Sequence, residues 1–182
     1  MIDNKKFRIF GIGLPKTGTQ SLHFAISRLG YKSVHYPIDT VIPRLHHSDY
    51  SCFEEYDAYF NCCEWHFAAV DKLRPDSRFI YTWREYDDWI ISMRNHFERY
   101  EAPSKSANAF YNRLEIFGSV NFNEDLMETI YWAHKAAIER YFNNKNNFLK
   151  FNVSDSNPYK KLCEFLDIPI INEQFPHKNK SL

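Results

Sequence analysis

The 182-residue sequence has no excess charge of either sign: lysine plus arginine number 23, and aspartate plus glutamate number 23. Without a chain-wide basic field nothing recruits a nucleic acid or another polyanion, although a local basic cluster can still hold a small anion. A cysteine framework is missing too. Cys52, Cys62, Cys63 and Cys163 form one adjacent pair and two scattered singles, which fits neither a disulfide scaffold nor CxxC zinc spacing. Reduced thiols in a cytoplasmic protein are the expectation. The opening stretch, MIDNKKFRIFGIG, holds no apolar run long enough for a signal peptide or a membrane span. Internal repeats and low-complexity linkers are also absent. A soluble, intracellular chain is therefore expected, with 44% hydrophobic residues to build one domain, 1–182, around a real core.

What is present alternates between strand and helix patterns. The runs FRIFGI (7–12), KSVHY (32–36), YDAYF (56–60), RFIYTW (78–83) and NFLKFNV (147–153) read as strands. Helices are expected at about 19–29, 38–47, 63–73, 87–100, 107–117, 123–142 and 158–167, followed by an irregular tail. The longest shows Leu126, Ile130, Ala133, Ala137 and Tyr141 on one stripe. Such alternation with short connections predicts an α/β fold with a mostly parallel central sheet flanked by helices on both faces. Ligands then bind beyond the carboxyl ends of the strands, after residues 12, 35, 60, 83 and 153.

The first of those places reads GIGLPKTGTQSL, residues 11–22. It is not a dinucleotide fingerprint, because Lys16 takes the third glycine position of GxGxxG. Nor is it a Walker A loop. Gly13 and Gly18 have that spacing, but Thr19-Gln20 follows where Lys-Ser/Thr belongs, and the lysine sits inside the loop. The physics of an anion cradle survives the change. Pro15 stiffens the turn, Gly18 allows backbone close to a ligand or a positive φ, and the amides of 17–21 converge at a helix N-terminus. Lys16 adds a charge, and Thr17, Thr19 and Ser21 add hydroxyls. No carboxylate of the Walker type follows a strand to hold Mg²⁺, and HHSD (46–49) with His35 lacks metal-ligand spacing, so no metal is expected.

PKTGTQSL resembles the 5′-phosphosulfate loop of the sulfotransferases that use 3′-phosphoadenosine 5′-phosphosulfate (PAPS), a loop that carries its lysine before Gly-Thr. Two further features agree with that family. RFIYTWREYDDWIISM sets Arg84 after a strand and Ser92 eight residues on, as in the family's 3′-phosphate site, and LCEFLDIPIINEQFPHKN resembles the end of its compact members. The resemblance implies a three-layer P-loop (NTPase-like) fold. It also implies PAPS held by Lys16, Thr17, Gly18, Thr19, Gln20, Ser21, Arg84 and Ser92, with His177, Lys178 and Asn179 of the tail approaching the 3′-phosphate. The implied reaction moves a sulfuryl group to a hydroxyl or amine of a small-molecule acceptor, and Lys16 would stabilise charge on the leaving phosphate.

The family's catalytic base lies after the strand that here ends at YFNCCEWH, where Asn61 cannot accept a proton. His66 is the favoured base, then Glu64, then His35, which ends the second strand. An amine acceptor, a base from another segment, or lost activity stay open. Residues 36–56 and 101–122 are expected to cover the acceptor, in an open site or one completed in a homodimer. The competing readings are a P-loop nucleotide kinase or NTPase, and a degenerate nucleotide-binding protein.

Overall fold

The computed structural model describes residues 7–100 and 106–178. The five apolar runs form short strands: β1 (Ile9–Gly11), β2 (Ser33–His35), β3 (Ala58–Phe60), β4 (Arg78–Thr82) and β5 (Phe148–Phe151). Between and after them run α1 (Thr19–Arg28), α2 (Ile42–Leu45), α3 (Phe67–Leu73), α4 (Tyr86–Arg99), α5 (Ala107–Phe117), α6 (Glu124–Tyr141) and α7 (Pro158–Leu166). The strands pair in the order β2-β3-β1-β4-β5, and every pairing is parallel. The sheet is thus wholly parallel among the described residues, where a mostly parallel one was expected.

Alternation along the strands sorts the core into two layers. Phe10, Tyr59, Phe79 and Tyr81 pack on one face with Phe67 and Val70 of α3 and Ile138 at the end of α6. Ile9, Ala58, Phe60, Ile80 and Phe151 pack on the other with Leu22, Ala25 and Ile26 of α1 and Tyr159 and Leu162 of α7. Burial on both faces explains why these strands read as continuous apolar runs. A third cluster joins Leu14 of the loop after β1 to Trp89 and Met93 of α4, Ile116 and Phe117 of α5, and Met127 and Tyr131 of α6. Trp89 is wholly buried there, so truncating it to alanine should cost about 3–5 kcal/mol.

Two expected helices are shorter than their sequence pattern. The stretch expected to be helical from 38 to 47 forms only Ile42–Leu45. Residues 40–42 instead form turns whose amides all donate to the Pro37 carbonyl, and Pro43 has no N–H to extend a helix. Likewise α3 begins at Phe67 instead of residue 63, since residues 63–66 form a turn closed by the His66 amide on the Cys63 carbonyl at 3.2 Å.

The central strand comes first in the chain. β1 lies between β3 and β4, and the chain leaves it for β2 on one side and later reaches β4 on the other. That reversal opens a crevice at the carboxyl edge beside β1. No helix among the described residues is long and apolar enough to cross a membrane.

Candidate active site

The loop after β1 is built by its own hydroxyls. Thr17 Oγ1 donates to the Leu14 carbonyl at 2.7 Å and lies 2.7 Å from Thr82 Oγ1, at the end of β4. A Cβ on Gly13 would stand 2.0 Å from that Thr82 oxygen, so only glycine lets the loop lie this close to β4. Trp89 Nε1 supports the loop from α4 by donating to the Pro15 carbonyl at 2.9 Å. Thr17, expected to face a ligand, therefore turns its hydroxyl inward; it is buried and serves the loop's shape.

Gly18, at φ 102, is the N-cap of α1 and gives it no side-chain cap, while Ser106 caps α5 and Asn123 caps α6. The first turn of α1 also carries no acidic residue. A helix N-terminus left in this state presents its dipole and amides to whatever anion reaches it. Thr19 is buried with its Oγ1 3.1 Å from His35 Nε2. Gln20 is half-buried. Buried Ser21 accepts a hydrogen bond from the Lys178 backbone amide at 2.9 Å, so the tail does return to this helix. Phe175 anchors the tail in the α1–α7 layer, whereas His177 is exposed and Asn179 lies outside the described residues.

Cations gather around the loop. Lys16, half-buried, has its ammonium pKa lowered first by burial and then by the charges of Arg99 and Arg84. Arg84 follows β4, and its carbonyl accepts from Tyr131 Oη at 2.6 Å, which fixes the strand-to-helix corner. Its Nε lies 3.9 Å from Asp88 Oδ2, an exposed contact worth about 0–1 kcal/mol that leaves the guanidinium open to a stronger anion. Ser92 is buried on α4. His96 stands one turn further along α4, with its pKa lowered to about 4 by burial first and then by Lys16, Arg113 and Arg99. Ser92, His96 and Arg99 thus share one face of α4 at i, i+4 and i+7. Sequence reasoning stopped at Ser92, although helical spacing pointed to His96 and Arg99 next.

The three candidate bases differ sharply in surroundings. His66 has both ring nitrogens engaged, Nε2 at 2.8 Å from Glu115 Oε1 and Nδ1 at 3.1 Å from Tyr50 Oη. Glu115 also lies 3.0 Å from His46 Nε2. Burial raises the Glu115 pKa, but these two histidines outweigh it and hold the carboxyl below its ordinary value. His66 is thereby a clamp joining α3 to α5. His35 is pushed down to about 4 by burial and then by His23, so it stays neutral beside Thr19.

Glu64 is 2% exposed, and its Oε1 has no hydrogen-bond partner among the described residues. Burial raises its pKa to about 8, against a hydrogen bond from its own amide and with the Glu115 charge adding to the rise. Its carbonyl is held at 3.0 Å by Nε2 of the wholly buried His134. Tyr36 lies close enough to feel the Glu64 charge and is bonded by the Asn112 side chain. Lys16, Tyr36 and Asn61 all take left-handed backbone, at φ 72, 54 and 57, just beyond β1, β2 and β3. Such residues cost roughly 1–3 kcal/mol each and cluster at functional sites.

Among the described residues no group of three or more His, Cys, Asp or Glu could hold a metal ion. The comparison with known families gives one match: the model of the sulfotransferase domain covers residues 8–182, nearly the whole chain. The comparison with curated proteins gives no match.

Proposed function

We propose, from the premise that this chain belongs to the sulfotransferase domain family, that it moves a sulfuryl group from PAPS to a hydroxyl or amine of a small-molecule acceptor, as a single domain and without a metal. The observation that carries the reading is Lys16, in the loop that leads into the uncapped N-terminus of α1, standing close enough to Arg84 after β4 for the two charges to repel.

These residues fit the donor. The α1 N-terminus with Gly18, Thr19, Gln20 and Ser21 would hold the 5′-phosphate, and the loop is set in place against β4 by Gly13 and by the inward Thr17 hydroxyl. Arg84, with a planar fork suited to two oxygens, would take the 3′-phosphate together with Ser92 and the tail around Lys178. When bound, PAPS supplies the activated sulfuryl group. Lys16 then neutralises charge developing on the phosphate side, a preorganised electrostatic role.

Glu64 is the proton acceptor of this reading. It has an oxygen without a partner at the carboxyl end of β3, whereas His66 is committed to Glu115 and Tyr50, and His35 is too weak a base. The four free, buried thiols suit a reducing compartment such as the cytoplasm.

The test is acceptor-dependent release of adenosine 3′,5′-bisphosphate from PAPS, followed by chromatography over a panel of phenols, sugars and amines. Release with at least one class supports transfer. Consumption of Mg-ATP instead supports a kinase, and bisphosphate binding without turnover on any class supports a degenerate binder.

A further inference from the structure

The groups at the carboxyl edge follow the strand order. Tyr36 stands after β2, Glu64 after β3, Lys16 after β1 and Arg84 after β4, in a sheet ordered β2-β3-β1-β4. Lys16 therefore divides the edge into a β4 side, where Arg84 and Ser92 lie, and a β2–β3 side. The second side is roofed by α5, through Trp65 Nε1 on the Ile116 carbonyl at 3.2 Å and His66 on Glu115.

Arg113 of α5 lies between that region, where it feels Tyr36, and the end of α4. Its guanidinium lies 4.5 Å over the Phe97 ring and donates to the carbonyls of Tyr100 at 2.8 Å and Val120 at 3.1 Å. No carboxylate pairs with it among the described residues, and its strongest charge neighbour is Tyr36. Among the described residues two of its five donor hydrogens are used. A half-buried cation held in place by carbonyls and a ring, with no counter-ion among the described residues, suits an anion. Beside it Tyr36 and the buried Asn112 bond to each other, and Tyr36 also feels the charge of the buried Glu64.

We propose that Tyr36, Glu64, Asn112 and Arg113 form the acceptor subsite, and that the acceptor carries an anionic group, a carboxylate or phosphate, which Arg113 holds while Glu64 meets the accepting hydroxyl or amine. This rests on the sulfotransferase reading, which places the donor on the β4 side. Below about pH 8 Glu64 is protonated and does not repel such a ligand as it binds; only its ionised form takes the acceptor's proton.

The test uses protein saturated with adenosine 3′,5′-bisphosphate and two matched series: 4-hydroxyphenylacetate, 4-methylphenol and tyramine, then glucose 6-phosphate, glucose and glucosamine. Binding is read by calorimetry in wild type, Arg113→Gln and the charge-retaining Arg113→Lys. In at least one series the anion should bind about tenfold to a hundredfold tighter than its neutral twin, and Arg113→Gln should abolish that preference while Arg113→Lys keeps part of it. Bisphosphate affinity should move by less than about threefold in both variants, as expected of separate sites. Equal binding of anions and their twins, no binding of any anion, or a preference that survives Arg113→Gln overturns the subsite. If wild type does not bind the bisphosphate, the donor reading fails instead.

Discussion

Replacing Glu64 by glutamine will change how folding stability depends on pH. The wild-type carboxyl is buried, and its pKa rises from an ordinary 4.5 to about 8. The folded state therefore keeps a proton that the unfolded chain releases. Stability falls with pH wherever the folded state binds more protons, so wild type loses stability between about pH 4.5 and 8 and nothing further above that window. At 1.36 kcal/mol per pH unit the loss integrates to roughly 5 kcal/mol, a large share of the 5–15 kcal/mol a domain of this kind possesses. Glutamine fills the same volume, keeps an amide able to bond, and does not titrate. Urea melts of both proteins at about pH 4, pH 6 and pH 8.5 measure the difference, and all other titrating groups cancel in it. The variant should match wild type within about 1 kcal/mol at pH 4, lead it by about 2 at pH 6, and lead it by roughly 5 at pH 8.5. Parallel stability curves would show that the carboxyl reaches water or a cation and would remove the burial argument.

The same group sets a rate prediction: kcat/KM should climb with pH to a plateau above about 8, because the base must lose its proton, and Glu64→Gln should lose both the climb and most of the rate. A profile with its limb near 6.5 would return the role to a histidine. Lys16→Met should lower kcat by about 10²–10³-fold, as loss of one preorganised charge does, with a smaller loss of bisphosphate affinity in calorimetry. Equal loss of both would make Lys16 a binding residue only. In Gly18→Ala the new Cβ lies 2.7 Å from Val153 Cγ1 on backbone at φ 102, so thermal melts should show a loss of about 1–3 kcal/mol. Adding Val153→Ala should relieve the clash and leave the backbone part; full recovery would show that φ costs nothing there.

The strands were legible because both faces of the sheet are covered, which makes each strand a continuous apolar run such as FRIFGI or RFIYTW. The loop was legible because its glycines, lysine and hydroxyls are contiguous. Its inward Thr17 hydroxyl was not, since Thr82, its partner, lies 65 residues away. Glu64 looked like one polar residue of an amphipathic helix; it lies instead in the turn of residues 63–66, buried and close enough to Glu115 and Tyr36 for the charges to be felt. His66 was favoured on its chemistry, yet Glu115 and Tyr50, which occupy it, come from distant segments that no local pattern links. Arg113 went unnoticed for the same reason: its place beside Tyr36 is a product of tertiary packing.

Calorimetric titration of wild type and Arg84→Ala with adenosine 3′,5′-bisphosphate, beside Mg-ATP, decides whether the loop and Arg84 hold a 3′,5′-bisphosphate nucleotide. Bisphosphate binding should prevail over ATP and weaken by about 2–5 kcal/mol in Arg84→Ala, a loss of roughly 30-fold to several thousand-fold. Preference for Mg-ATP, or bisphosphate affinity indifferent to Arg84, would contradict that role of the loop and Arg84.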